Sequence, residues 1–132
     1  MKITIDRLGH HGDGIAIGDT GPIYAPGTLP VEVVEGDLVK DTLTNIKIIT
    51  PSADRVKPPC PHARSCGGCL MQHVSDSSVA TWKEGIVRGA LAGQGLDASF
   101  RPMSTSPIRS RRRATLSGRK TKGGALMGFH AR

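Results

Sequence analysis

The amino-acid sequence predicts a mainly β protein, in which a small barrel is followed by a cysteine-rich loop, one helix and an antiparallel hairpin. Glycine and proline are abundant, at 17 and 9 of the 132 residues. They separate short runs in which apolar and polar residues alternate, a pattern typical of short strands joined by tight turns. A chain of this length can bury a core, but with one Trp, one Tyr and two Phe we expect a lean one.

Residues 1–50 supply most of the strand-like runs. Ile3 and Ile5 alternate with polar neighbours, as in a half-buried strand. Further strands are predicted at residues 15–17, 23–25, 31–34, 38–39 and 43–49. Several short strands and no helix fit a closed, OB-like β-barrel, which leaves no sheet edge exposed. Such barrels often bind single-stranded nucleic acid, but the aromatic side chains that stack on bases are nearly absent here, so composition alone favours that function weakly.

Residues 51–59 form a predicted linker, and residues 60–75 a predicted metal-binding loop. Three prolines between residues 50 and 59 exclude a helix or a central strand there. All three cysteines of the chain, Cys60, Cys66 and Cys69, then follow within ten residues in a C-x5-C-x2-C array. The Gly67-Gly68 pair between them lets the backbone wrap close to a shared centre. An odd number of clustered cysteines indicates a metal or iron–sulfur site, not a secreted disulfide scaffold.

The spacing of the cysteines leaves the identity of the metal open. Three thiolates can hold a cubane iron–sulfur cluster with one iron open to an outside ligand. A zinc ion bound by the three cysteines and one histidine is the rival, since such tetrahedral sites are common. His62 and His73 both lie close enough in sequence to supply the fourth zinc ligand.

One amphipathic helix is predicted from roughly Ser78 to Leu91. Polar residues at 76–78 could cap its start, and glycines at 93 and 95 would end it. Gly85 and Gly89 each weaken the helix by about 1 kcal/mol relative to alanine, so it must depend on tertiary packing. Its apolar face consists of Val79, Trp82, Ile86, Val87, Ala90 and Leu91, which we interpret as core.

The last part of the chain predicts a β-hairpin. Alternation over residues 111–118 predicts one strand, residues 120–124 a turn, and residues 125–131 the returning strand. On such a strand Arg111 and Arg113 would project from the same face. With the helix, this hairpin makes up a second unit at residues 76–132, which we interpret as the start of an antiparallel β domain.

Positive charge is concentrated in the second half of the chain. Of the net +7, residues 1–59 carry 6 basic against 8 acidic residues, a net of −2, and residues 60–132 carry 12 against 3, a net of +9. Because residues 101–132 contain nine basic residues and no acidic one, we predict a nucleic-acid surface there. A merely solvated basic face is the alternative. The predicted RNA contacts are Arg109, Arg111, Arg112, Arg113, Arg119, Lys120 and Lys122, whose role would be to set affinity more than sequence choice.

The N-terminal residues allow a prediction of the cellular location of the protein. Met1–Ile5 contains no long apolar run, so neither a signal peptide nor a membrane span is expected. A cytoplasmic protein without membrane contact is the default prediction.

The order of motifs along the chain resembles the N-terminal part of the RNA uracil-C5 methyltransferases, which make 5-methyluridine in ribosomal and transfer RNA. The resemblance covers nearly all 132 residues, and within it the spacing C-x5-C-G-G-C-x2-Q-H is highly specific. The barrel resembles the TRAM domain found in the ribosomal-RNA branch. The motifs that carry the resemblance are Gly12–Ala16, Ala25–Pro30, Ser52–Pro58, Cys60–His73, Trp82-Lys83, Arg111–Ser117 and Gly128-Phe129.

This resemblance implies a [4Fe–4S] cluster held by Cys60, Cys66 and Cys69. It also implies RNA as the partner, and the resemblance of the barrel to the TRAM domain favours ribosomal RNA. No DNA binding is expected. In the family a fourth cysteine and the S-adenosylmethionine-binding catalytic domain lie further along, and the sequence ends before them. We therefore expect the RNA- and cluster-binding N-terminal part of an rRNA (uracil-C5) methyltransferase that binds RNA without methylating it. No catalytic residue is assigned, so whether this chain is itself an enzyme is left undecided.

Two other interpretations stand beside this one. A free-standing zinc-containing RNA-binding module without enzymatic activity would share the basic surface and the cysteines. A truncated remnant that folds poorly would share the sequence but not the function.

Overall fold

The computed structural model describes residues 1–131. Within that range the chain forms a six-stranded sheet, one α-helix and a separate two-stranded sheet. The order of elements is β1 (Lys2–Thr4), β2 (Arg7–Leu8), β3 (Gly14–Gly18), β4 (Gly21–Ala25), β5 (Val33–Val39), β6 (Thr42–Thr50), α1 (Asp76–Ala92), β7 (Ser117–Thr121) and β8 (Gly124–Gly128). The predictions of a mainly β fold and of one helix are confirmed.

The six-stranded sheet is curled, and residues 2–8, which contain β1 and β2, form both of its edges. The strand order is β1-β5-β6-β4-β3-β2, and the two edge strands β1 and β2 are consecutive in the chain. Between them, Ile5 donates its N–H to the Glu32 carbonyl and Asp6 donates to the Ile15 carbonyl, both at 2.9 Å. A parallel pairing at Tyr24 and Thr42 joins β4 to β6, while the other pairs are antiparallel. This topology is consistent with the predicted OB-like barrel.

The core lies inside this curled sheet. Alternate residues of a strand point to opposite faces, so each strand contributes side chains to the inside of the sheet at alternate positions. Some apolar strand residues, such as Ile17 and Val39, remain exposed on the outside. The buried cluster consists of Ile5, Ala16, Ile23, Ala25, Val34 and Leu43, with Ile3 and Ile46 packed against it.

The prediction of a strand at residues 31–34 followed by a separate one at 38–39 is wrong in detail. Val31 has a φ of 62° and lies in a turn, and β5 then runs without a break from Val33 to Val39 with two irregularities in its register. Gly36 belongs to this bulged strand. A Cβ atom there would lie 2.5 Å from the Thr44 carbonyl oxygen, so glycine is needed because β6 approaches closely.

The helix and the hairpin differ from prediction at their ends. Helix α1 begins at Asp76 after the N-cap Ser75, two residues earlier than expected, and Gly93 follows it as the C-cap. The strand predicted from residue 111 begins only at Ser117, because its partner β8 ends at Gly128, directly opposite Ser117. Arg111 and Arg113 therefore do not share the face of a strand. Among the described residues, no helix has the length and apolar character needed to cross a membrane.

Candidate metal centre and nucleic-acid interface

A buried carboxylate fixes the start of the linker on the barrel. The Glu32 side chain is fully buried and accepts hydrogen bonds from the backbone N–H groups of Leu29 at 2.8 Å and Ser52 at 3.1 Å. Arg55 pairs with both carboxylate oxygens and also donates from Nη2 to the Gly27 carbonyl at 2.8 Å. Residues 20 or more positions apart are thus held together by one charged network.

The environment of Glu32 keeps its carboxyl ionised. Burial by itself raises the pKa, since it disfavours the charged form. The hydrogen bonds from Arg55, Ser52 and Leu29, together with the guanidinium charge, outweigh burial and lower the pKa of Glu32 below its ordinary value. At neutral pH the pair is therefore fully charged and hydrogen-bonded.

The cysteine loop begins and ends beside Arg55, the residue that is anchored to the barrel by Glu32. Arg55 and Val74 form an antiparallel bridge, and Val56 donates its N–H to the His73 carbonyl at 3.0 Å. The N–H of Ser75 donates to the Asp54 carbonyl at 2.9 Å. Both ends of the loop are consequently pinned to one another and, through Arg55, to the barrel. This explains how a segment with little secondary structure of its own holds a defined position.

The three predicted metal ligands line one cavity of about 660 Å³. Cys60 and Cys66 are half-buried and Cys69 is exposed. Gly68 donates its N–H to the Cys66 sulfur at 3.3 Å, and Gln72 Oε1 accepts the N–H of Cys60 at 3.2 Å. The cavity is also lined by His62, Ala63, Ser65, Gln72, Met127, Gly128, Phe129 and Ala131.

The possible metal donors around this cavity are three thiols and one histidine, His62. Within residues 1–131, no three His, Cys, Asp or Glu side chains lie close enough together to hold one ion. In a cubane each thiolate binds a different iron atom, so the sulfurs need to share a cavity without meeting at a point. Three thiols around one cavity, with a backbone N–H directed at one sulfur, match that need, although the predicted cluster itself stays a prediction. Of the two histidines considered for zinc, His62 lines this cavity and His73 lines a neighbouring one.

The end of the hairpin packs directly on the cysteine loop. Gly67 donates its N–H to the His130 carbonyl at 2.7 Å, and Cys66 bridges to Ala131. Phe129 lies against Gly68, and the Ser117 hydroxyl lies 2.6 Å from His130 Nε2. The sequence indicated the loop and the hairpin separately, but contained no local signal that they meet.

All seven predicted RNA-binding residues are exposed. Arg109, Arg111, Arg112 and Arg113 line one open cavity of about 620 Å³, whereas Arg119 and Lys120 lie on β7 and Lys122 lies in the hairpin turn. Within residues 1–131, none of the seven forms an ion pair with a carboxylate. Four of the predicted RNA-binding residues thus lie around one cavity and three lie on the hairpin. Their positive charges are not neutralised by carboxylates of the described residues.

Comparison with known proteins identifies the relationship. The chain is 41% identical over 129 residues to an uncharacterized RNA methyltransferase of Brucella suis, covering 98% of this chain and 31% of that protein. It is 40% identical over 135 residues to one of Caulobacter vibrioides, covering 100% of this chain and 32% of the relative. It is also 37% identical over 125 residues to a 23S rRNA (uracil(1939)-C(5))-methyltransferase of Vibrio parahaemolyticus, covering 89% of this chain and 28% of that enzyme. The chain is homologous to RNA methyltransferases.

This homology confirms the resemblance that the motifs indicated. The chain spans about a third of the length of the relatives it matches. No protein-family model matches the chain. The homology to the Brucella and Caulobacter proteins extends over the barrel, the cysteine loop and the hairpin together, because 98% and 100% of the chain are covered.

Proposed function

We propose that this chain is the RNA-binding and cluster-binding N-terminal part of an S-adenosylmethionine-dependent rRNA (uracil-C5) methyltransferase. The observation that carries the proposal is the packing of the cysteine loop against the basic hairpin, in a chain homologous to RNA methyltransferases over nearly its whole length. The Vibrio relative's name supports ribosomal RNA and C5 of uracil as the target. A ribosomal-RNA substrate in turn implies a cytoplasmic location.

In this proposal Cys60, Cys66 and Cys69 hold a [4Fe–4S] cluster. The support is that all three thiols line one cavity and that a backbone N–H donates to the Cys66 sulfur. Hydrogen bonds to sulfur and limited solvent access are the means by which proteins tune such clusters. We assign the cluster a structural role, holding the loop in shape; none of the three cysteines is then available as a nucleophile.

The basic residues would bind the RNA backbone. Phosphates are neutralised best by side chains whose charge is not already paired, and the seven candidates form no ion pair within the described part of the chain. Guanidinium groups can pair with phosphate oxygens in two-pronged fashion and can stack on unpaired bases. The barrel adds little charge, since residues 1–59 carry a net of −2, so the second half of the chain dominates RNA affinity.

Methyl transfer belongs to the whole enzyme in this proposal. Bound S-adenosylmethionine would supply the methyl group, and we assign no catalytic residue among the 132 positions. The contribution of these residues is to bind and orient the RNA. A zinc-containing RNA-binding module is the second candidate, supported by His62 on the wall of the same cavity.

The experiment is RNA binding measured over a series of salt concentrations, for the wild type and two triple variants. The first variant replaces Arg111, Arg112 and Arg113 with alanine. The second replaces three exposed barrel lysines and removes the same charge: Lys2, Lys40 and Lys47. A fluorescein-labelled single-stranded RNA oligonucleotide serves as the probe.

We expect the arginine variant to bind more weakly and with a flatter salt dependence. Each lost phosphate contact reduces the slope of log K against log salt by about 0.7 on a single strand, so three contacts would reduce it by about 2. The lysine variant should keep the wild-type slope. An unchanged slope in the arginine variant, or equal losses in both variants, would contradict the proposed interface.

A further inference from the structure

The cysteine loop and the hairpin meet at two glycines, where the segments approach so closely that an added Cβ atom would force a neighbour to move. A Cβ atom on Gly67 would lie 2.9 Å from the His130 carbonyl oxygen, and one on Gly68 would lie 2.9 Å from Cγ of the Phe129 ring. Favourable carbon–carbon contacts lie at about 3.5–4.0 Å. By contrast, a Cβ on Gly123 in the hairpin turn would have no neighbour within 4 Å. The Gly67-Gly68 pair therefore allows the hairpin to pack against the cysteine loop, in addition to allowing the tight turn of the loop.

The hairpin depends on this docking for its position. An isolated two-stranded hairpin is at best marginally stable in water. Here the Gly67 N–H to His130 carbonyl bond at 2.7 Å and the Cys66–Ala131 bridge extend its returning segment onto the loop. Met127 and Phe129, at the end of the same segment, line the cavity that the three cysteines line. The segment that forms one wall of the cavity around the three cysteines is thus the same segment that attaches the hairpin, β7 and β8, to the cysteine loop.

We propose that Gly67, Gly68 and Phe129 are positioning residues for RNA binding, which couple occupation of the thiol cavity to the placement of the basic hairpin. This inference rests on the proposed function. Filling the cavity fixes the loop against Phe129, and Phe129 fixes the strand that precedes it, with Arg119, Lys120 and Lys122 on the paired strand and turn. The group bound by the thiols then strengthens RNA binding without touching RNA.

The coupling must act in both directions. If occupation of the cavity raises RNA affinity by some factor, RNA must raise retention of the bound group by the same factor. Couplings between sites commonly amount to about 5- to 150-fold. We expect roughly tenfold here, because the hairpin carries three of the seven basic candidates and the remaining four lie outside it.

The test compares RNA affinity of the iron-loaded chain with that of the chain after iron removal by a chelator. The variants are Gly68→Ala, Gly123→Ala as the matched glycine control, and Phe129→Ala, which leaves the cysteine loop unaltered. Iron content is measured on every sample. The added methyl group of Gly68→Ala displaces the Phe129 ring, whereas that of Gly123→Ala meets open space.

We expect loaded wild type and Gly123→Ala to bind the RNA oligonucleotide about tenfold more tightly than their metal-free forms. Gly68→Ala and Phe129→Ala should lose most of this difference, and added RNA should slow iron loss only in the first two proteins. If Gly68→Ala fails to load iron, Phe129→Ala decides the matter. Equal RNA affinity of loaded and metal-free wild type, or full coupling in iron-loaded Phe129→Ala, would overturn the inference. A wild type that neither holds iron nor binds RNA would instead overturn the proposed function on which it rests.

Discussion

Arg55 forms a two-pronged ion pair with Glu32, a carboxylate on the barrel whose side chain is fully buried. Arg55 is also the residue that bridges to Val74 at the far end of the cysteine loop. Arg55 therefore joins the barrel to both ends of the loop, through its guanidinium on Glu32 and through its backbone beside Val74. The loop is positioned by this pair on one side and by the hairpin on the other.

Replacing Arg55 with methionine should destabilise the chain strongly. It keeps the aliphatic length but leaves the Glu32 carboxylate buried without its partner, and breaking a buried ion pair in this way costs about 3–5 kcal/mol. Urea denaturation followed by circular dichroism measures the loss. The control is Arg7→Met, because the Arg7–Asp6 pair is exposed on both sides and should contribute less than about 1 kcal/mol. Equal, small losses in both variants would contradict the anchoring role.

The lowered pKa of Glu32 predicts a dependence of stability on pH. Because the pKa is lower in the folded state than in the unfolded chain, ionised Glu32 stabilises the fold. This contribution is complete above the ordinary carboxyl pKa of about 4.3 and is lost as the pH falls through the lower folded value. The stability difference between wild type and Glu32→Gln should therefore be largest near neutral pH and shrink in acid. Thermal unfolding of both proteins between neutral and acidic pH measures this difference in stability. A difference that grows as the pH falls would contradict the lowered pKa of Glu32.

Two helix glycines should be replaceable with a gain in stability. Gly85 and Gly89 lie inside α1, and a Cβ at either would meet nothing within 4 Å. Each substitution by alanine should stabilise the chain by up to about 1 kcal/mol, by relieving the low helix propensity of glycine. Gly12→Ala should have the opposite effect, since Gly12 has a φ of 89° and its Cβ would lie 2.8 Å from the Met71 sulfur. The midpoint of urea unfolding ranks the three variants, and a destabilised Gly85→Ala would mean that α1 is covered there in solution.

Trp82 should tie the helix to the barrel through its ring nitrogen. Its Nε1 donates to the Gly9 carbonyl at 3.2 Å, and it is the single tryptophan of the chain. Trp82→Phe keeps an aromatic ring but removes the donor, so we expect a loss of about 0.5–1.5 kcal/mol. Chemical denaturation checks this value. A loss near zero would show that the hydrogen bond does not contribute to the docking of the helix.

The barrel and the helix were predictable because their signals are local. Alternating apolar residues around Ile3 and Ile5 define an inward face, and helical spacing around Trp82 predicts the helix itself. The interpretation of the helix's apolar face as core is wrong, because no side chain of α1 is fully buried and Val87 is exposed. The start of β7 was misplaced at residue 111 because strand length depends on the partner, which ends at Gly128. No pattern around residue 111 encodes that limit.

The remainder of the site depends on contacts between distant residues. Glu32 and Arg55 are 23 positions apart, and neither their pairing nor the burial of the carboxylate follows from neighbouring residues. The clustered cysteines were visible from spacing alone, but the walls that Met127 and Phe129 add to their cavity were not. The Gly67-Gly68 pair indicated a tight turn, and its second role in accepting the hairpin required the structure.

The measurement that tests the account most directly is the iron and acid-labile sulfide content of the chain purified without oxygen, together with its visible spectrum. We predict brown protein with about four iron and four sulfide atoms per chain, lost in Cys66→Ser and kept in Ser65→Ala, a matched change on the wall of the same cavity. Colourless protein with stoichiometric zinc would contradict the cluster and favour the zinc-containing module. Metal-free protein would contradict the assignment of these three thiols as a sufficient site.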